Sequence, residues 1–292
     1  MVVTIPDYNE AVYFNIWINS SEDFSLKITS PDNRSYVLKR SDHAEDPLTP
    51  IAFPIKRFAN AKIGLTVNSY SQGRPNEQDV WLELKHISED AEIPEGEWTI
   101  TISSEPGKAI HAWIPLYELR DSRPRGNDFR PHFATFRDDH YTIGSPGTAE
   151  NAITVAASTS RTSWESDHRL GRINLEMIGS SSKGVCKVAP FSSRGPLRLK
   201  QHHKPDICAP GQMIISAKSS QAYHENHWVL REDQNYRAMM GTSMACPVVA
   251  GMAAVLLSKE RDLTGKEIVS RLTNDSPNWN NEIGYGHAHF PQ

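Results

Sequence analysis

Cysteine is scarce in this 292-residue sequence. The three residues Cys186, Cys208 and Cys246 are odd in number and form no CxxC pair, which excludes a disulfide framework and a zinc ribbon. Such usage fits a reducing compartment and favours a cytoplasmic location. An excess of either charge is also lacking: 31 Lys and Arg stand against 35 Asp and Glu, a formal net charge of −4. That balance gives no electrostatic basis for a nucleic-acid partner. No apolar run reads as long enough to span a bilayer, so no membrane partner is expected. The N-terminal stretch MVVTIPDYNEAVYF has no basic region ahead of a long apolar one, so it is not a signal peptide. No acidic cluster has convincing cation-ligand spacing, and no cofactor motif occurs. What remains is ordinary soluble composition, 38% hydrophobic and 23% charged, long enough for one or two domains.

The two halves differ in periodicity. From residue 10 to about 118 the apolar residues alternate with polar ones. Val12, Phe14, Ile16 and Ile18 form one such series and Phe24, Leu26 and Ile28 another. Ile63, Leu65 and Val67 follow, then Val80, Leu82 and Leu84, then Trp98, Ile100 and Ile102, before HAWIPL closes the set. SPDN at 30–33 and PEGE at 94–97 read as turns. Short strands at this spacing without a helix predict an all-β jelly roll or β-sandwich over residues 1–120. Trp17, Trp81 and Trp98 are expected to pack between its sheets, the alternative being a ligand groove.

RDSRPRGNDFRP, 120–131, is charged and rich in breakers, so 121–150 reads as a linker and the entry to a second region. There AITVAAS, 152–158, has the unbroken apolar character of a buried parallel strand, and MIISAKS, 213–219, is a second candidate. PVVAGMAAVLLSK, 247–259, is apolar on nearly every face and predicts a buried helix. LTGKEIVSRLT, 263–273, predicts an amphipathic helix with Leu263, Ile268, Val269 and Leu272 on one side and Thr264 as N-cap. Residues 151–292 are therefore expected to be α/β.

The stretch MMGTSMACPVVAG, 239–251, sets Ser243 at the start of the apolar helix. Free backbone N–H groups and the positive end of the helix dipole gather there and stabilise developing negative charge. Gly241, Thr242 and Ala245 are small enough to admit a substrate backbone, and Pro247 reads as a first-turn proline. Taken alone, a serine in this position is far more often an N-cap than a nucleophile. The nucleophile elbow of α/β-hydrolases does not fit, because Ala245 stands where that motif has glycine.

GTSMACP at 241–247 resembles the serine box of the subtilisin-like serine proteases, and KPDICAPG at 204–211 is similar to the segment that precedes it there. FSSRGP at 191–196, NAITVAAS at 151–158 and the terminal GYGHAHF at 284–290 match further segments in the family's order. The resemblance implies a subtilase-type parallel-sheet domain, partial over 151–292, acting on a peptide or protein substrate with Ser243 as catalytic nucleophile. The backbone N–H of Ser243 would be one oxyanion donor. Asp206 belongs to a structural segment by the same resemblance.

The family's aspartate and histidine boxes and its glycine-asparagine oxyanion segment do not occur upstream of Ser243. His43, His86, His111, His132, His140, His202 and His203 all lack the required glycine-rich setting, and Asn127 sits in the linker. Some subtilases of the clostridial spore-germination type carry a jelly-roll insert between the oxyanion asparagine and the strand matched by NAITVAAS. The chain resembles such an enzyme from the insert onward, which predicts no activity for the isolated chain. A complementary N-terminal segment, or a second chain, would supply the missing groups. A non-catalytic binding or assembly module built on a degenerate subtilase scaffold stays open as the alternative. Two further side-chain groups read as bland: His202 and His203 near Cys208 as solvent-facing residues rather than metal ligands, and Cys246 as a small packed hydrophobe.

Overall fold

In a computed structural model the described residues are 1–7, 9–20, 22–39, 77–86, 92–115, 130–169, 171–198, 203–221 and 228–290, with backbone strands besides at 51–52, 56–58 and 61–69. The chain divides into two compact units, Met1–Arg137 and Asp138–Gln292.

The first unit is built from strands β1 (Val2–Ile5), β2 (Ala11–Ile18), β3 (Ser25–Thr29), β4 (Ser35–Lys39), β5 (Ile51–Ala52), β6 (Lys56–Phe58), β7 (Ala61–Ser69), β8 (Gln78–His86), β9 (Gly96–Ser103), β10 (Ile110–Trp113) and β11 (His132–Phe133). They form two antiparallel sheets, one in the order β11-β1-β9-β3-β4 and the other β10-β2-β8-β7-β5, with β6 also on β7. Alternation decides which side chains enter the core. Val12, Phe14, Ile16 and Ile18 of β2 join Val80, Leu82 and Leu84 of β8 and Leu26, Ile28 and Ile100 of the other sheet in one buried cluster. SPDN turns as expected, with Asn33 at φ 64° and its N–H on the Ser30 carbonyl. The segment expected as linker is described only from Arg130 onward, and there it supplies β11, paired with β1.

The tryptophans divide by parity. Trp98 is fully buried and donates its indole N–H to the Pro94 carbonyl at 3.0 Å. Trp17 and Trp81 do not pack between the sheets: each sits one residue out of step with the buried series of its strand and faces outward.

In the second unit β12 (Val155–Thr159) pairs in parallel with β15 (Ile207–Gln212). Strands β13 (Ser163–Glu165) and β14 (Arg172–Asn174) form one hairpin, and β16 (Ile214–Ala217) and β17 (Tyr236–Met239) another. The helices are α1 (Thr242–Lys259) and α2 (Gly265–Leu272). MIISAKS is therefore not a buried parallel strand. Met213 at φ 62° turns the chain out of the parallel pair, and β16 pairs antiparallel with half of its residues exposed. The amphipathic helix forms as expected, closed by a capping box between Thr264 and Glu267, with Ile268, Val269 and Leu272 buried.

Helix α1 departs from expectation in its surroundings. Ala245, Val249 and Leu256 pack into a cluster with Ala157, Ile207 and Ala209 of the parallel pair and Ile268 and Leu272 of α2. The opposite side, with Cys246, Ala250, Ala254 and Val255, is exposed, Val255 by 44%. Two layers cover one side of an all-round apolar helix and leave the other uncovered. At 18 residues and a mean hydropathy of 1.4, α1 also meets the length and composition of a membrane-crossing helix, which corrects the expectation of no such run. The core helix of a soluble protein can have the same length and composition.

Candidate active site

The five family-like segments meet around β15. The N–H of Gly241 donates to the Gly211 carbonyl at 2.9 Å, which fixes the start of α1 against the C-terminal end of that strand. A Cβ on Gly211 would lie 2.6 Å from the Ala157 Cβ and 3.0 Å from the Ala245 Cβ. The small residues read as room for substrate thus also let helix and strands approach. Gly241, at φ 149°, holds a backbone conformation that favours glycine.

Beyond Gly241, Ser243 is the second residue of α1 and is exposed. Its N–H belongs to the first helical turn, whose donors have no intrahelical acceptor. Pro247 is the sixth helical residue rather than a first-turn one. Its missing N–H is the donor that would have bonded the Ser243 carbonyl. Ser243 Oγ hydrogen-bonds no histidine or carboxylate among the described residues.

The neighbouring segments are held by side chains that sequence reading left without a partner. Asp206 Oδ2 accepts from Lys204 Nζ at 2.7 Å and from the Thr154 N–H at 2.6 Å, while Lys204 Nζ also reaches the Ala152 carbonyl. The Lys204 side chain is only 3% exposed, so its charge is matched inside the fold. That is a structural role for Asp206. Ser192 Oγ accepts from the Ala157 N–H, and Trp279 donates its indole N–H to the Pro205 carbonyl at 2.8 Å. The carbonyls of Asp206 and Cys208 take the N–H groups of Tyr285 and Ala288, so GYGHAHF lies along the start of β15. Gly195 and Gly284 are the points of closest approach: a Cβ would stand 1.8 Å from the Lys204 carbonyl oxygen and 2.3 Å from the Asp206 carbonyl carbon.

The remaining candidates are dispersed. Cys208 is fully buried in β15, and burial pushes its thiol up to about 11, with a Ser158 hydrogen bond pulling the other way. His203 meets Trp279 edge-on at 4.5 Å, while His202, His43 and Asn127 lie outside the described residues. Cys246 is exposed rather than packed, because it lies on the uncovered side of α1. His86, His111 and His132 belong to the first unit, and His140 pairs with Asp138 at the surface. Arg194, missed by sequence reading, links Asp139 and Glu282 at 2.9 and 3.0 Å.

Comparison with known proteins adds to this geometry. Residues 125–286 match the model of the subtilase family. Over 145 residues the chain is 38% identical to the serine protease AprX of Bacillus subtilis, covering 49% of this chain and 29% of that protein. It is 39% identical over 87 residues to the subtilisin-like protease SBT3.6 of Arabidopsis thaliana, covering 30% and 10%. The structure of the Clostridium perfringens CspB protease shares the fold over 98% of this chain and 52% of that one, with a TM-score of 0.62 and 20% identity. The chain thus spans less than a third of AprX and about half of the CspB chain. A family model that takes in more than half of the sequence, over the segments that converge on β15, shows that the chain belongs to the subtilase family.

Proposed function

We propose that this chain is the serine-bearing part of a subtilisin-like serine endopeptidase that hydrolyses peptide bonds through Ser243. The observation that carries the reading is the placement of Ser243. It is exposed on the first turn of α1, which is tied through Gly241 and Gly211 to the C-terminal end of a parallel strand. Open parallel sheets bind their ligands at that end.

In the proposed reaction Ser243 Oγ attacks the scissile carbonyl and gives its proton to a histidine. The resulting oxyanion is held by the Ser243 N–H and an asparagine amide. Collapse forms an acyl-enzyme and releases the amine, which takes the proton from the imidazolium; water then frees the acid by the reverse sequence. The histidine, its orienting aspartate and the asparagine come from a complementary segment or chain. The exposed apolar side of α1 supports that assembly, since its exposed Val255 would be buried by further layers of a parallel-sheet domain. In this reading the two antiparallel sheets of residues 1–137 are the jelly-roll insert that separates the two parts.

A fluorophosphonate probe tests the proposal. The isolated chain is expected to remain unlabelled, since a serine without a base is almost wholly protonated. Addition of a segment carrying the aspartate, histidine and asparagine boxes should bring labelling, lost in Ser243→Ala. Labelling of the chain alone would show that it already holds an activating base. Failure with the segment present would leave a binding or assembly module as the better account.

A further inference from the structure

The outer face of the β10-β2-β8 side of the first unit is unlike the rest of its surface. By register, Trp113, Asn15 and Trp81 lie in one cross-strand row, and His111, Trp17 and Asp79 in the next. Tyr13 and Glu83 continue the face on the far side of the first row. Five of these eight residues carry aromatic rings and the other three carry amide or carboxylate groups. The outer face of the other sheet instead carries Thr4, Lys27, Thr99 and Thr101 with the exposed Val37, and none of these is aromatic.

The rings are held in place by a polar chain. Trp17 Nε1 donates to Asn15 Oδ1 at 2.9 Å, Asn15 Nδ2 donates to Asp79 Oδ1, and Trp81 Nε1 donates to Asp79 Oδ2 at 3.2 Å. His111 stacks on Trp113 with centroids 5.7 Å apart and planes 11° from parallel. With its indole N–H already engaged, Trp81 is 38% exposed and presents ring surface, while Trp17 is partly buried. Trp113 and Trp81 flank Asn15 on adjacent strands, which sets their backbones about 10 Å apart.

We infer that this face is a binding platform for a neutral, β-linked polysaccharide. The axial C–H groups of a pyranose are complementary to the negative face of an aromatic ring. Hydroxyl groups at the ring edge need acceptors, which the half-buried carboxylate of Glu83 provides. Rings on three adjacent strands, with Asn15 and Asp79 among them, match an extended sugar chain laid across the strands. Nucleic acid fits poorly, because the carboxylates Asp79 and Glu83 outnumber Lys85 on this face and the chain as a whole is acidic, at a formal net charge of −4. A protein partner fits less well, because the face carries neither the Arg nor the Met that accompany aromatics at protein interfaces. The inference does not depend on the peptidase reading, since Ser243 lies in the other unit.

Native gel electrophoresis of the full chain through hydroxyethylcellulose, glycol chitin and xylan, against a blank gel, tests it. Retardation is expected in at least one polysaccharide. Trp81→Ala should weaken that retardation at least tenfold and Glu83→Gln should weaken it measurably, while Thr101→Ala on the other sheet leaves it unchanged. Trp81 and Glu83 both face outward, and Glu83→Gln alters one acceptor only. No retardation in all three polysaccharides, or retardation that survives both variants, overturns the proposal. So does quenching of tryptophan fluorescence by a proline-rich peptide where no polysaccharide binds.

Discussion

Lys204 and Asp206 show how much one side-chain contact decides in the second unit. The pair lies two residues apart in KPDICAPG, and the aspartate oxygen that holds the lysine also holds the backbone of Thr154. Asp206→Ala would leave a buried ammonium without its counter-charge, which costs about 3–5 kcal/mol in comparable pairs. Urea denaturation of the second unit should show a loss of that order, and a loss below about 1 kcal/mol would mean that the lysine finds water instead. The sequence marked Asp206 as structural through resemblance alone. It gave no sign of the lysine, because a charged residue before proline reads as surface until its neighbours are placed.

At the level of elements, α2 was legible and α1 only half so. Thr264, Glu267 and the apolar stripe are local signals, and each acts within its own helix. Thr264→Ala should therefore cost about 1 kcal/mol, read as a lower midpoint of thermal unfolding. Helix α1 was also identified by its composition, but composition does not say what surrounds a helix. Val255→Glu separates the cases. On an uncovered side it should change the stability of the isolated chain by no more than about 0.5 kcal/mol. It should also abolish probe labelling on complementation. Strong destabilisation of the isolated chain would show that this side is already packed. The aromatic face of the first unit was equally within reach: Tyr13, Asn15 and Trp17 keep opposite parity to Val12, Phe14 and Ile16. A rule that large aromatics belong in cores was weaker there than the period of the strand.

Across the whole molecule, acid should act in two ways. His287 is half-buried, and burial first, then the charges of His289 and Lys187, hold its pKa below the ordinary 6.5. The unfolded chain therefore takes up the proton first as pH falls. The stability that neutral His287 contributes is complete above about pH 6.5 and declines through the interval down to its lower folded value. His287→Gln should flatten this part of the pH–stability curve, and an unchanged slope would assign the effect to another group. In the same range the net charge of −4 vanishes near the pI of about 6.3. With an apolar helix side exposed, light scattering should reach a maximum there.

The sequence by itself determined what local patterns govern. Period-two alternation gave β2, β3, β7, β8, β9 and β10 of the first unit, the Thr264 cap and the apolar stripe gave α2, and five short segments gave the family resemblance. These signals act between residues near in the chain, so they survive without a fold. Tertiary structure decided everything that depends on distant partners. It brought the five segments together on β15, moved MIISAKS out of the parallel pair at Met213, gave Lys204 its carboxylate and left one side of α1 bare. A residue pattern states which side chains want burial, and only the packed chain states which of them obtain it.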